Sequence, residues 1–171
     1  MIKYPMLKNL LRLFFCALAF CGAAFGQAYT PAYSTARVKQ LAQAIGRAEG
    51  YGIRGTRPTR NNNPGDLRSV PGLHYPGQVR TASGRYAVFA TPAAGWAALE
   101  AQIVRVLEGR SRYYTLNTTI NQMSRRYAEQ WHPWAANVTK RLGVPGHTTL
   151  GQWLTNGDVD VPPQFAFVFQ N

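Results

Sequence analysis

Seven carboxylates could do chemistry in this chain: Glu49, Asp66, Glu100, Glu108, Glu129, Asp158 and Asp160. The three histidines, His74, His132 and His147, lie far apart, and both cysteines, Cys16 and Cys21, fall in an apolar N-terminal run. No His/Cys grouping has metal-ligand spacing, and neither a nucleophile elbow nor a phosphate-cradling glycine loop is present. Among common hydrolytic chemistries this leaves general acid/base work by a carboxylate, which needs no cofactor. Glu49 is the strongest candidate. It follows Val38 by 11 residues, about three turns of helix at 3.6 residues each, which sets it close to an apolar stripe. It also precedes Gly50 at a helix end, where the macrodipole disfavours a carboxylate. Desolvation and the dipole both raise its pKa, as a general acid at neutral pH requires. The alternative is a Glu that turns to solvent at a frayed helix end.

The segment Arg60-Asn61-Asn62-Asn63-Pro64-Gly65-Asp66-Leu67 is the second informative feature. Asparagine amides beside Pro-Gly can fix a turn, and those left free both donate and accept hydrogen bonds, which suits sugar hydroxyls and N-acetyl groups. A purely structural turn is the competing reading. Asp66 is the obvious second acid. A pair of carboxyls roughly 5 Å apart would cleave a glycosidic bond with retention, and a pair about 6.5–9.5 Å apart with inversion. Glu129 is a further candidate in the last turn of its helix. Trp131 and Trp134 flank His132-Pro133. Aromatic faces stack on sugars, but Trp134 has helical spacing and reads as core. His132 reads as a helix-entry residue, and Tyr113-Tyr114 as part of a loop.

These residues need elements to hold them. Ser34 or Thr35 caps a helix running to about Glu49, with Val38, Leu41, Ile45 and Ala48 as its buried stripe. Residues 50–78 are dense in Gly, Pro, Asn and Arg and read as a long ordered loop or short irregular strands. Val79 to Ala90 reads as a hairpin around Ser83-Gly84. Thr91-Pro92 starts a helix to about Glu108, burying Trp96, Leu99, Ile103, Val106 and Leu107. A helix from about Thr119 to Glu129 buries Ile120, Met123 and Tyr127. Another, from about Pro133 to Leu142, buries Trp134, Val138 and Leu142 and ends at Gly143. A short last helix holds Leu150, Trp153 and Leu154, and the tail PPQFAFVF packs or adds a strand. The fold class is α+β, mainly α, with one small β-hairpin.

The helix ending Ala48-Glu49-Gly50, the NNNPGD core of Arg60 to Leu67, and YAVFATPAAGW from Tyr86 to Trp96 resemble the lysozyme-like superfamily. The chain is most similar to small lytic transglycosylase and phage-type muralytic domains that carry an NNPG turn, over about Val38 to Gly143. The resemblance implies a lysozyme-like helical domain acting on peptidoglycan glycan strands. It makes Glu49 the catalytic acid, and places Asn61, Asn62, Asn63, Phe89 and Trp96 as substrate contacts, with Asn62 and Asn63 positioning either the substrate N-acetyl group or Glu49 itself. In that family the position of Asp66 is often Asn. The better-known transglycosylases carry Tyr-Asn-Ala-Gly late in the domain. Here the comparable stretch is Tyr127-Ala128-Glu129-Gln130, which makes Tyr127 a further substrate contact. The implied scheme is a lone Glu forming a 1,6-anhydro product from the MurNAc-GlcNAc linkage, with a hydrolase using Asp66 as the alternative.

Location follows from the N-terminus. Lys3, Lys8 and Arg12 precede the uncharged run LFFCALAFCGAAF, which is shorter than the roughly 20 residues a membrane span needs. Residues 1–26 therefore read as a cleavable export signal, with an uncleaved anchor as the alternative. Residues 27–171 form the single domain, cysteine-free and expected to be monomeric in the periplasm or medium. Cleavage leaves 16 basic residues against 7 acids, a net +9. Such a field attracts polyanions. Outside the cytoplasm envelope polymers fit better than nucleic acid. The rival to an enzyme is a non-catalytic, glycan-binding envelope protein retaining the fold.

Overall fold

The computed structural model describes residues 34–70, 72–79 and 85–155. The expected export signal, the hairpin turn at Ser83-Gly84 and the tail lie outside the described residues. Among the described residues six helices and two short strands follow in order. They are α1 (Thr35–Ala48), α2 (Arg57–Arg60), β1 (Gln78–Val79), β2 (Val88–Phe89), α3 (Pro92–Leu107), α4 (Ile120–Tyr127), α5 (Trp131–Leu142) and α6 (Leu150–Thr155). The class is mainly α with a small antiparallel sheet, in which Gln78 faces Phe89 and Val79 faces Val88. Among the described residues no helix is long and apolar enough to cross a membrane.

The helix ends obey local rules. Ser34 caps α1 by accepting from Arg37 N, and Thr91 caps α3 by accepting from Ala94 N, with Pro92 in the first turn. Two Thr-x-x-Gln capping boxes face one another. Thr119 Oγ1 accepts from Gln122 N at 3.1 Å, and Gln122 Oε1 from Thr119 N at 2.9 Å. Thr149 and Gln152 repeat those two bonds at 3.1 and 2.9 Å. Ile120 N donates to Thr148 O and Leu150 N to Thr118 O. The two helix starts thus satisfy each other's free backbone donors, and α6 is seated where Leu150, Trp153 and Leu154 enter the core.

That core is built around α1. Val38, Leu41, Ala42 and Ile45 pack with Leu99 and Ile103 of α3, Ile120 and Met123 of α4, Trp134 and Val138 of α5, and Leu154 of α6. A second cluster, Tyr75, Ala87, Phe89 and Ala98, joins the strands to α3. Three boundaries differ from expectation. Residues 57–60 form a helical turn that the Gly/Asn-rich composition concealed, although Pro58 sits in its first turn. Helix α4 stops at Tyr127, because Ala128 is extended. Helix α5 begins at Trp131 rather than Pro133. A proline is tolerated at the third helical position because the N–H groups there have no partner within the helix.

Helix α3 approaches the Asn-rich turn closely. A Cβ built on Gly95 would lie 1.8 Å from the carbonyl oxygen of Asn62. Gly95→Ala must therefore push the helix off the turn. The expected cost is up to about 3 kcal/mol, read as a melting temperature lower by several degrees. An unchanged melting temperature would contradict this contact.

Candidate active site

Glu49 is the C-cap of α1, still helical at φ −75° and ψ −5°, with its N–H bonded to the Ile45 carbonyl at 2.9 Å. The loop that follows is tied down. Gly50 turns at φ +80°, and Thr56 Oγ1 donates to Gly50 O at 3.0 Å. Gly52 N donates to Thr59 Oγ1 at 2.9 Å. The Glu49 side chain bends inward rather than fraying. Trp134 Nε1, from the buried face of α5, donates to Glu49 Oε1 at 2.6 Å. Oε2 has no donor among the described residues and is not completely buried. One oxygen fixes the carboxyl and the other remains available for proton transfer.

Burial is the largest influence on this carboxyl and raises its pKa from 4.5 to about 7. The Trp134 hydrogen bond opposes that shift, the Asp66 charge adds to it, and Arg57 opposes it. The α1 dipole acts in the same direction as burial. Replacing Trp134 with Phe removes the one donor to the carboxylate among the described residues while keeping an aromatic ring. Glu49 in Trp134→Phe is then expected to titrate above the wild-type value, moving the alkaline limb of any Glu49-dependent activity to higher pH. A limb that stays put or moves down would show that the bond does not tune the acid.

Trp134 is itself held from behind. Its ring stacks on Tyr127 of α4 with centroids 4.9 Å apart and planes at 28°. The Tyr127 hydroxyl donates to Gly65 O at 2.6 Å. Its pKa is raised well above the usual tyrosine value, chiefly by burial. A continuous path therefore joins the NNNPGD turn to the acid: Gly65, Tyr127, Trp134, Glu49. Tyr127 is partly buried and supports the acid from behind Trp134. An apolar cavity of about 80 Å³ shares Tyr127 with this path and is lined also by Leu41, Ile45, Leu99 and Tyr114. Burial likewise pushes the Tyr114 hydroxyl up to about 12, with smaller contributions that include repulsion from Glu49.

The three asparagines have different fates. Asn63 is wholly buried. Its Nδ2 donates to Leu67 O and Ala87 O, each at 2.9 Å, and its Oδ1 accepts from Leu67 N at 2.9 Å. Asn62 sits at φ +49° and donates to Phe89 O at 3.1 Å. Only the Asn61 side chain makes no hydrogen bond among the described residues, while its carbonyl accepts from Phe89 N at 2.9 Å. The expectation of free amides is thus corrected for Asn63 and Asn62, whose amides close the turn onto the strand at Ala87 and Phe89. Phe89 is also corrected as a substrate contact: at 2% exposure it packs in the second core cluster. Trp96 is partly exposed and meets Tyr51 edge-on at 5.2 Å.

Asp66 is not a free second acid. Arg57 Nε donates to its Oδ1 at 2.9 Å and to its Oδ2 at 3.2 Å, and Arg57 Nη2 closes an ion pair on Oδ2. The guanidinium lies 3.5 Å from the Tyr86 ring centroid. Its own pKa is raised, first by the Asp66 hydrogen bond. A carboxylate held at both oxygens is a weak nucleophile or base, because attack must first break the pair. Glu129 is exposed and lies beyond α4. Trp134 and Arg57 escaped sequence reasoning. Trp134 was legible as core, but no spacing rule links it to a glutamate 85 positions away. Among the described residues there is no group of three or more His, Cys, Asp or Glu able to hold a metal. No protein-family model, curated protein or solved structure matches the chain.

Proposed function

We propose that this domain cleaves the glycan strands of bacterial peptidoglycan outside the cytoplasm, with Glu49 as a lone general acid and base. The observation that carries the reading is the Glu49 carboxyl itself, fixed through one oxygen by Trp134, not completely buried at the other, and titrating near neutrality. About half of such groups are protonated at pH 7, so one side chain can give a proton and then take one.

The reaction is that of a lytic transglycosylase. Protonated Glu49 gives its proton to the oxygen bridging MurNAc and GlcNAc, and the bond from that oxygen to the MurNAc C1 breaks. The Glu49 carboxylate then removes the proton of the MurNAc 6-hydroxyl, whose oxygen bonds to C1. The product is a 1,6-anhydro sugar, and no water is consumed. The engagement of Asp66 by Arg57 supports this scheme over one with a second carboxylate. Asn61, with its free amide, is the one member of its triplet suited to contact the sugar.

Digestion of purified peptidoglycan by the mature chain, with products read by mass, tests the proposal. Anhydro-muropeptides are the expected result. Products with reducing ends would mean a hydrolase and overturn the lone-Glu scheme. No products from folded protein that still binds sacculi would overturn the enzyme and leave a glycan-binding protein.

A further inference from the structure

The outer face of α1 carries a second feature. Lys39, Gln43 and Arg47 form the floor of a groove of about 810 Å³, with Trp96 and Glu100 of α3, Arg141 of α5 and Trp153 of α6 among its other lining residues. At 100° per residue, the centre of this floor lies about 120° around the helix from Glu49. Glu49 does not line the groove, whose floor faces away from it around α1. Its volume is in the range that admits a small oligosaccharide.

Its charge is one-sided. The ion pairs among the described residues are Arg57–Asp66 and Arg110–Glu108. Among the described residues Lys39, Arg47 and Arg141 have no carboxylate partner, and Glu100 is the one acid of the groove lining. Arg37, which is not in the lining, stacks on one lining residue, its guanidinium 4.1 Å from the centroid of the Trp153 ring. Two arginine forks suit carboxylates, the Gln43 amide can both donate and accept from hydroxyls, and the partly exposed Trp96 offers an aromatic face. A bare polyanion would use the cations alone. A neutral sugar would use the amide and the ring alone.

We infer that this groove binds an acidic carbohydrate, a carboxylate-bearing oligosaccharide held by Lys39, Arg47 and Arg141 and packed against Trp96. Binding here would hold the protein on an anionic envelope polymer without occupying Glu49, which is not part of the lining. The inference does not depend on catalysis by Glu49.

The test is titration of the mature chain with three probes: an oligogalacturonate, a chito-oligosaccharide of equal length, and inorganic polyphosphate. Calorimetry gives affinity and tryptophan fluorescence reports on the ring. The oligogalacturonate is expected to bind at least about tenfold more tightly than the neutral oligomer and to perturb the fluorescence. Lys39→Gln with Arg141→Gln should weaken it by on the order of tenfold or more, with the melting temperature unchanged. Arg141→Lys alone, which keeps the charge but loses the fork, should bind between wild type and the double variant with the melting temperature unchanged. Equal binding of the neutral oligomer, or no loss in the double variant, would overturn the site. Polyphosphate binding as tight as oligogalacturonate, without a fluorescence change, would overturn the carbohydrate assignment.

Discussion

Glu49→Gln is expected to yield a protein that is more stable than wild type above pH 7 and at least about a hundredfold slower on peptidoglycan. The two effects have one cause. Glu49 has a folded-state pKa of about 7 against an ordinary 4.5. A carboxyl raised in this way binds more protons folded than unfolded across that interval. Its contribution to stability is therefore greatest below pH 4.5, declines as pH rises, and reaches its full penalty above about 7. The penalty is about 3 kcal/mol as an upper figure, less whatever solvent at Oε2 recovers. Glutamine carries no charge and its Oε1 still accepts from Trp134 Nε1, so the geometry survives while the burial penalty disappears. Thermal melts of both proteins at pH 5 and pH 8 decide the matter. The variant should gain several degrees at pH 8 and much less at pH 5. An equal gain at both pH values, or none at pH 8, would show that Glu49 is not a strained acid. Retained cleavage would remove it from the chemistry.

Much of this site was legible in advance because it depends on local rules. The stripe Val38, Leu41, Ile45 and the stop at Gly50 placed Glu49 at a helix end beside the core, and the dipole argument needs no tertiary information. Thr91-Pro92 and Gly143 marked a helix start and a helix end for similar local reasons. What was hidden are contacts between distant segments. Trp134 followed a core pattern and is core, yet its one polar atom meets Glu49. A period in the sequence reports which face is buried; it does not say what the N–H on that face will find. Asp66 stood out as an acid in a conspicuous motif, but its partner Arg57 lies in a helical turn with only one proline to announce it. The path from Gly65 through Tyr127 to Trp134 joins residues 62 positions apart at its first step.

The asparagine triplet makes the same point and gives the second large prediction. Composition treats Asn61, Asn62 and Asn63 alike, whereas the fold does not. Asn63→Ala deletes three hydrogen bonds at a site with no access to water. Leu67 O keeps another donor, Ala87 N at 2.8 Å. Leu67 N and Ala87 O lose the Asn63 partner inside the protein, at about 1–3 kcal/mol each. The expected loss is on the order of 2 to 6 kcal/mol, comparable with much of the total stability of a domain this size. Melting should fall by roughly 10 °C or more. Asn61→Ala, which deletes no hydrogen bond among the described residues, should stay within about 0.5 kcal/mol of wild type. If its amide reads the sugar, its effect should appear in KM or kcat instead. A melting temperature for Asn63→Ala within 2 °C or so of wild type would mean that the turn re-forms without its buried amide. Its hold on Gly65, and through Tyr127 on Trp134, would then have to come from the Pro64-Gly65 backbone alone.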